Sequence, residues 1–286
     1  MIVADDLDKL GWARAHAAFD HRRVAFVPTM GALHAGHRAL LRQARELGDV
    51  VFASIFVNPR QFGPGEDLDR YPRTLGADLE VCEAEGVDAV FVPTTEMMYP
   101  REPMVTVSSG AMGTIVEGAA RPGHFDGMLT VVLKLFHLVD PDIAVFGEKD
   151  AQQLAMIRRM VADLSLPIAI VGVPTVREPD GLALSSRNRF LSPSDRTVAL
   201  VLSRALRAGA EAVAEGPAEV IRRARAALTV EEKLELDYLV LVDPATFTDV
   251  GPGFAGTAVL AAAGKVGATH LVDNVHVRLG DESPAS

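Results

Sequence analysis

The chain has 286 residues, 49% of them hydrophobic, and 38 acidic against 28 basic side chains leave a formal charge of -10. That composition supports one large or two modest globular domains and argues against a disordered chain. The charge argues against a surface built for nucleic acid or an anionic membrane, although a local basic pocket remains compatible with it. Cys82 is the sole cysteine, so no internal disulfide can form, which suits a reducing cytoplasm. Residues 1–6 carry Asp5 and Asp6 and no basic segment ahead of an apolar block, so no secretory leader is expected there. The bland stretch 255–263 is too short to span a bilayer and is followed by Lys265.

Strand and helix signals then alternate. Residues 22–28 and 50–57 are apolar runs rich in valine and phenylalanine, and 89–92, 143–146 and 168–173 are shorter ones. Short, wholly apolar runs suit strands covered on both faces, as in a parallel sheet. Between them, residues 38–44 read as a helix. Leu129, Val132, Leu133, Phe136 and Val139 recur at helical spacing up to Pro141, and Leu154, Ile157, Val161 and Leu164 do so ahead of Pro167. The expected architecture is a Rossmann-like, doubly wound α/β domain over 1–175. The segment 174–181, rich in proline and glycine, reads as a hinge. Beyond it come a long helical region through Val198–Leu206 and Val220–Leu228, then strand-like runs at 236–242, 258–262 and 269–272. These predict a smaller C-terminal α+β lid domain over 176–286.

Several loops carry groups fit for chemistry. The first is Met30-Gly31-Ala32-Leu33-His34-Ala35-Gly36-His37, between a strand and a helix. Backbone N–H groups at a helix start favour anions, glycine allows close approach, and two imidazoles can donate to phosphate oxygens. The competing readings are a turn with a capping histidine and a fragment of a metal site. The latter lacks the glutamate of H-E-x-x-H. Gln61, in Asn58-Pro59-Arg60-Gln61-Phe62, either orients a polar substrate or belongs to an ordinary proline turn. Gly147-Glu148-Lys149-Asp150 opens a helix. Lys149 can reach phosphate, and Asp150 can cap the helix or hold a ribose hydroxyl; the alternative is a solvated charged turn. Leu184-Ser185-Ser186-Arg187-Asn188 can wrap a triphosphate or be a polar surface loop. Residues 121–127 read as a lid, a dimer contact or a plain turn, and the acids Asp67, Asp69, Asp78 and Glu80 as magnesium ligands or solvated charges.

Taken together, these motifs resemble the pantothenate synthetase (pantoate–β-alanine ligase) family, within the HxGH nucleotidyltransferase-like superfamily. The resemblance runs from Val24-Ala25-Phe26-Val27-Pro28-Thr29-Met30-Gly31 to Leu271-Val272-Asp273-Asn274. It implies ATP-dependent joining of pantoate to β-alanine through a pantoyl adenylate, a step toward coenzyme A, with Mg2+ accompanying ATP. It implies catalytic roles for His34, His37, Lys149, Ser186 and Arg187. ATP contacts would come from Met30, Gly31, His34, Gly36, His37, Gly147, Glu148, Lys149, Asp150, Val176, Leu184, Ser185, Ser186 and Arg187. Gln61 would contact pantoate and β-alanine, and Gln153 pantoate. Asp78 is the candidate metal ligand, and a cytoplasmic homodimer is the expected assembly. Three positions depart from the family pattern: Ala151 replaces an aromatic residue, Leu75-Gly76-Ala77 thin the acidic run before Asp78, and Asp126 stands where many relatives have a basic or small residue. A nucleotidyltransferase that keeps its nucleotidyl product, such as a pantetheine-phosphate adenylyltransferase, and a nucleotide sensor without turnover are the rival readings.

Overall fold

A computed structural model describes residues 1–19 and 21–280. The chain divides into two compact units: residues 1–148 with 156–174, and residues 149–155 with 175 onward.

In the first unit, β1 (Ile2–Ala4), β2 (Val24–Thr29), β3 (Val50–Ile55), β4 (Ala89–Phe91), β5 (Ile143–Gly147) and β6 (Ala169–Val173) form one sheet in the order β1-β4-β3-β2-β5-β6. All of its pairings are parallel. Helices α1 (Leu7–Phe19), α2 (Ala35–Leu47), α3 (Leu75–Ala84), α4 (Thr95–Met98), α5 (Glu117–Ala120) and α6 (His124–Val139) connect the strands up to β5, and α7 (Ala151–Asp163) leads from β5 to β6. This is the doubly wound sheet expected from the apolar runs. The strand β1 was not anticipated; it is three residues long and gains its place only by pairing with β4.

Alternation along the strands splits the core. Ala25, Val27, Val51, Ala53 and Val145 pack with Leu41 and Ala44 of α2 and Cys82 of α3. On β5 the alternate residue Phe146 meets Phe136 of α6 edge-on, with ring centroids 6.3 Å apart. Wholly buried side chains such as Phe26, Phe91 and Leu41 each contribute roughly 1.5–3 kcal/mol of transfer free energy. Cys82 is fully buried, and burial pushes its thiol up to about 11, as fits a packing residue.

Strand β2 pairs with β3 on one side and β5 on the other, and the chain order reverses there. Ligands on such sheets bind beyond the carboxyl ends of the strands at this switch point. The loops opening at Met30, at Phe56 and at Glu148 follow the ends of β2, β3 and β5.

The second unit contains an antiparallel sheet in the order β7-β8-β9, formed by β7 (Leu234–Val242), β8 (Gly256–Val266) and β9 (Thr269–Leu279). It is covered by α8 (Pro193–Ala210) and α9 (Pro217–Leu228). The long helical region is thus two helices, broken at Gly216 (φ +95°) before Pro217. The bland alanine stretch is the central strand, with Ala258 and Ala262 wholly buried. No described helix is long and apolar enough to cross a membrane.

Candidate active site

The histidine turn is built from backbone up. Gly31 and Ala32 both have positive φ, +84° and +52°. For alanine this costs roughly 1–2 kcal/mol and needs an external hold. Asp78 supplies it. The Ala32 N–H donates to Asp78 Oδ2 at 3.0 Å and the Leu33 N–H to Oδ1 at 2.7 Å, and the Thr74 hydroxyl adds a bond to Oδ2 at 3.2 Å. A Cβ on Gly31 would stand 3.0 Å from Asp78 Oδ2, so the turn closes directly over that carboxylate.

His34 is the N-cap of α2. Its Nδ1 accepts from the Gly36 N–H at 3.1 Å, and His37 Nδ1 accepts from the His34 N–H at 3.2 Å. This is a capping box made of two imidazoles, which satisfies two backbone donors of the helix start. Backbone N–H groups only donate, so both Nδ1 atoms are acceptors and each neutral ring carries its hydrogen on Nε2. The ring centroids lie 4.2 Å apart. The capping reading and the ligand-donor reading of these histidines are therefore compatible: Nδ1 serves the helix and Nε2 carries the hydrogen.

Gln61 ends a 3-10 turn (Pro59–Gln61) and is buried, with Nε2 donating to Met30 Sδ at 3.1 Å. Residues 121–127, read from the sequence as a lid, a dimer contact or a plain turn, brace this residue. His124 Nδ1 donates to the Gln61 carbonyl at 2.7 Å and Arg121 Nη2 to the same oxygen at 3.3 Å. Arg121 also pairs with Glu66 at 2.6 Å. Burial raises the Glu66 carboxyl, but the Arg121 hydrogen bonds and charge outweigh it and hold the group below its ordinary value. Gly127 is required by close approach, since a Cβ there would lie 2.0 Å from the Arg60 carbonyl oxygen. Asp126 accepts from the Ser109 N–H at 2.7 Å. None of these long-range ties has a local sequence signal; the glycine beside a histidine in 121–127 was the only hint.

Gly147 closes β5, and the Glu148 N–H donates to the Val173 carbonyl at 2.9 Å, prolonging the β5–β6 pairing. The remaining candidates belong to the second unit. Lys149 is mostly buried and stands 3.4 Å from Asp150, which is exposed. The Lys149 carbonyl accepts from Asn274 Nδ2 of β9 at 2.7 Å. Gln153 is half-buried on the first turn of α7, beside the buried Gln152.

Val176 and Leu184 are joined by a backbone bond from Leu184 N–H to Val176 O at 2.9 Å, and Arg177 bridges Ala183. Arg177 grips Asp273 of β9 with both Nη atoms, at 2.7 and 2.8 Å. Residues 177–183, within the segment read from the sequence as a hinge and just beyond it, form a hairpin tied to β9. Ser185 caps the 3-10 turn Ser186–Phe190 by accepting from the Arg187 N–H at 3.2 Å, and Ser186 and Arg187 are half-buried.

Asp78, the candidate metal ligand of the sequence reading, is 2% exposed, and both of its carboxylate oxygens accept from backbone or hydroxyl donors of the turn. Among the described residues no group of three or more His, Cys, Asp or Glu side chains is placed to hold a metal ion.

A parallel sheet with a histidine-capped turn at its switch point defines a doubly wound α/β protein. The family profile of pantoate-β-alanine ligases matches residues 3–276. The pantothenate synthetase of Thermobifida fusca is 58% identical over 267 residues, covering 90% of this chain and 90% of its own. Among solved structures, the pantothenate synthetase of Thermus thermophilus superposes with a TM-score of 0.90 at 47% identity, covering 96% of this chain and 99% of its own. The pantoate-β-alanine ligase of Francisella tularensis, solved in complex with β-γ ATP and β-alanine, gives a TM-score of 0.80 at 34% identity, over 96% and 97% of the two chains. The chain belongs to the pantoate–β-alanine ligase family.

Proposed function

We propose that this protein condenses pantoate with β-alanine at the expense of ATP, giving pantothenate, AMP and pyrophosphate. In the first step a carboxylate oxygen of pantoate attacks the α-phosphorus of ATP, and pyrophosphate leaves. In the second the β-alanine amine attacks the acyl carbon of the pantoyl adenylate, and AMP leaves. A free carboxylate is a poor acylating agent, and adenylation supplies the leaving group. The protein's share of such chemistry is positioning and charge stabilisation.

The observation that carries this reading is the histidine turn at the switch point, with the Nε2 donors of His34 and His37 fixed by tautomer and Gln61 held against Met30. His34 and His37 donate to phosphate oxygens as charge builds on them. Met30, Gly31 and Gly36 line the nucleotide turn with backbone, and Gly147 and Glu148 add contacts from the end of β5. Lys149, Ser186 and Arg187 stabilise the departing pyrophosphate, with Asp150, Val176, Leu184 and Ser185 as further nucleotide contacts. Gln61 and Gln153 orient pantoate, and Gln61 also meets β-alanine. Magnesium brought with ATP would neutralise charge on its phosphates. The working form is a cytoplasmic homodimer, a setting that suits a single, buried thiol.

The deciding experiment measures pyrophosphate release with ATP and pantoate, with and without β-alanine. Pyrophosphate formation that needs pantoate, with AMP released only when β-alanine is added, is the expected result. ATP binding with no pyrophosphate under either condition overturns the reading.

A further inference from the structure

Asn58 is 1% exposed, and its amide can sit only one way round. The Arg60 backbone N–H donates to Asn58 Oδ1 at 3.3 Å, and the Gly127 carbonyl accepts from Nδ2 at 3.1 Å. A backbone N–H cannot accept and a carbonyl cannot donate, so the two ends of the amide are assigned. The Tyr99 hydroxyl adds a second donor on Oδ1 at 2.9 Å. Nδ2 therefore faces Gln61, whose Oε1 accepts from it at 3.1 Å. The same logic then passes to Gln61. With Oε1 engaged, its Nε2 is the group turned toward Met30 Sδ, a weak acceptor that a ligand oxygen can replace.

We propose that Tyr99 is a positioning residue: through Asn58 its hydroxyl locks Gln61 as a hydrogen-bond donor, so that this position selects the acceptor oxygens of the carboxylic-acid substrate. The inference rests on the ligase reading above. Tyr99 is itself firmly held. Its ring lies 5.7 Å from the Arg60 guanidinium and 5.5 Å from the Lys134 ammonium, and Lys134 also donates to the Met98 carbonyl at the end of α4. Burial pushes the hydroxyl up to about 12, so it keeps its proton at neutral pH.

The test is Tyr99→Phe, which removes one oxygen and keeps the ring between its two cations. Steady-state kinetics should show the KM for pantoate raised about fivefold to tenfold, the scale of one lost hydrogen bond, with the KM for ATP within about twofold of wild type. A purely structural role would lower the melting temperature and leave that KM split absent. Gln61→Ala provides the second arm. If Tyr99 acts through Gln61, the double variant is no worse for pantoate than Gln61→Ala alone, because the two changes remove the same interaction. A pantoate KM within twofold of wild type in Tyr99→Phe, or additive losses in the double variant, overturns the proposal. Wild-type protein that forms no pyrophosphate from ATP and pantoate rejects the ligase reading itself, and the same assay shows it before any variant is compared.

Discussion

At the scale of single residues, several side chains of the candidate site hold backbone groups in place. Asp78 is the clearest case. Its charge and its place near Asp67, Asp69 and Glu80 suggest a metal ligand, yet it is a peg for two backbone N–H groups in a strained turn. Asp78→Ala would leave these donors and the Thr74 hydroxyl without their acceptor, at about 1–3 kcal/mol for each buried group left unsatisfied. Denaturant unfolding should show a clear loss of stability, while the magnesium concentration that supports half-maximal rate stays where it is in the wild type. An unchanged midpoint together with a tenfold shift in that concentration would return Asp78 to the metal. Lys149 offers the complementary case, a cation on a helix start with its backbone carbonyl anchored by Asn274. Lys149→Ala should slow pyrophosphate release by roughly 10²–10³, as for loss of one transition-state donor. Its melting temperature should move little, and near wild-type turnover would reject the assigned role.

At the scale of elements, the charged groups on the hairpin at 177–183 lead to an expected pH response. Arg196 of α8 bonds Glu178 at 2.7 Å and Asp180 at 2.6 Å. The Arg196 hydrogen bond holds the Glu178 carboxyl below its ordinary value; for Asp180 the Leu182 backbone N–H contributes most, with Arg196 adding to it. A depressed native value means that the stability is present above the unfolded value, about 4.3 for a glutamate, and is lost as pH falls through the native one. Glu178→Gln should therefore lower the melting temperature at pH 7 modestly, on the order of 1 kcal/mol for a partly exposed pair. Its melting temperature should also fall less steeply than the wild type's between about pH 5 and pH 3. Parallel curves for the two proteins over that range would show that the pair contributes nothing. The elements themselves were largely readable from the chain. Runs such as 50–57 and 143–146 are apolar on both faces and bounded by polar turns, and periodicity marks α6 and α7. The ties of the hairpin were not legible, because proline and glycine announce a turn without saying what holds it, and Asp273 lies 96 positions from Arg177.

At the scale of the whole molecule, order along the chain and order in space part company. The histidine turn, the lysine turn and the serine-arginine loop were legible as motifs because each combines unusual residues within a few positions. The bracing of Gln61 by Arg121 and His124, the close approach of Gly127 and the pairing of β1 with β4 were not, since each depends on segments distant in sequence. Helix α7 shows the same separation most sharply. Its opening residues Ala151 to Ala155, with Lys149 and Asp150 before them, group with the second unit, and Met156 onward groups with the first. Dissecting the polypeptide at the junction after Pro174 would thus misassign cargo. The amino-terminal fragment would carry away the lysine and its carbonyl, and the carboxyl-terminal fragment would keep Asn274, whose Nδ2 donates to that carbonyl. Recombining the units of two relatives therefore asks that the start of this one helix travel with the tail of the chain.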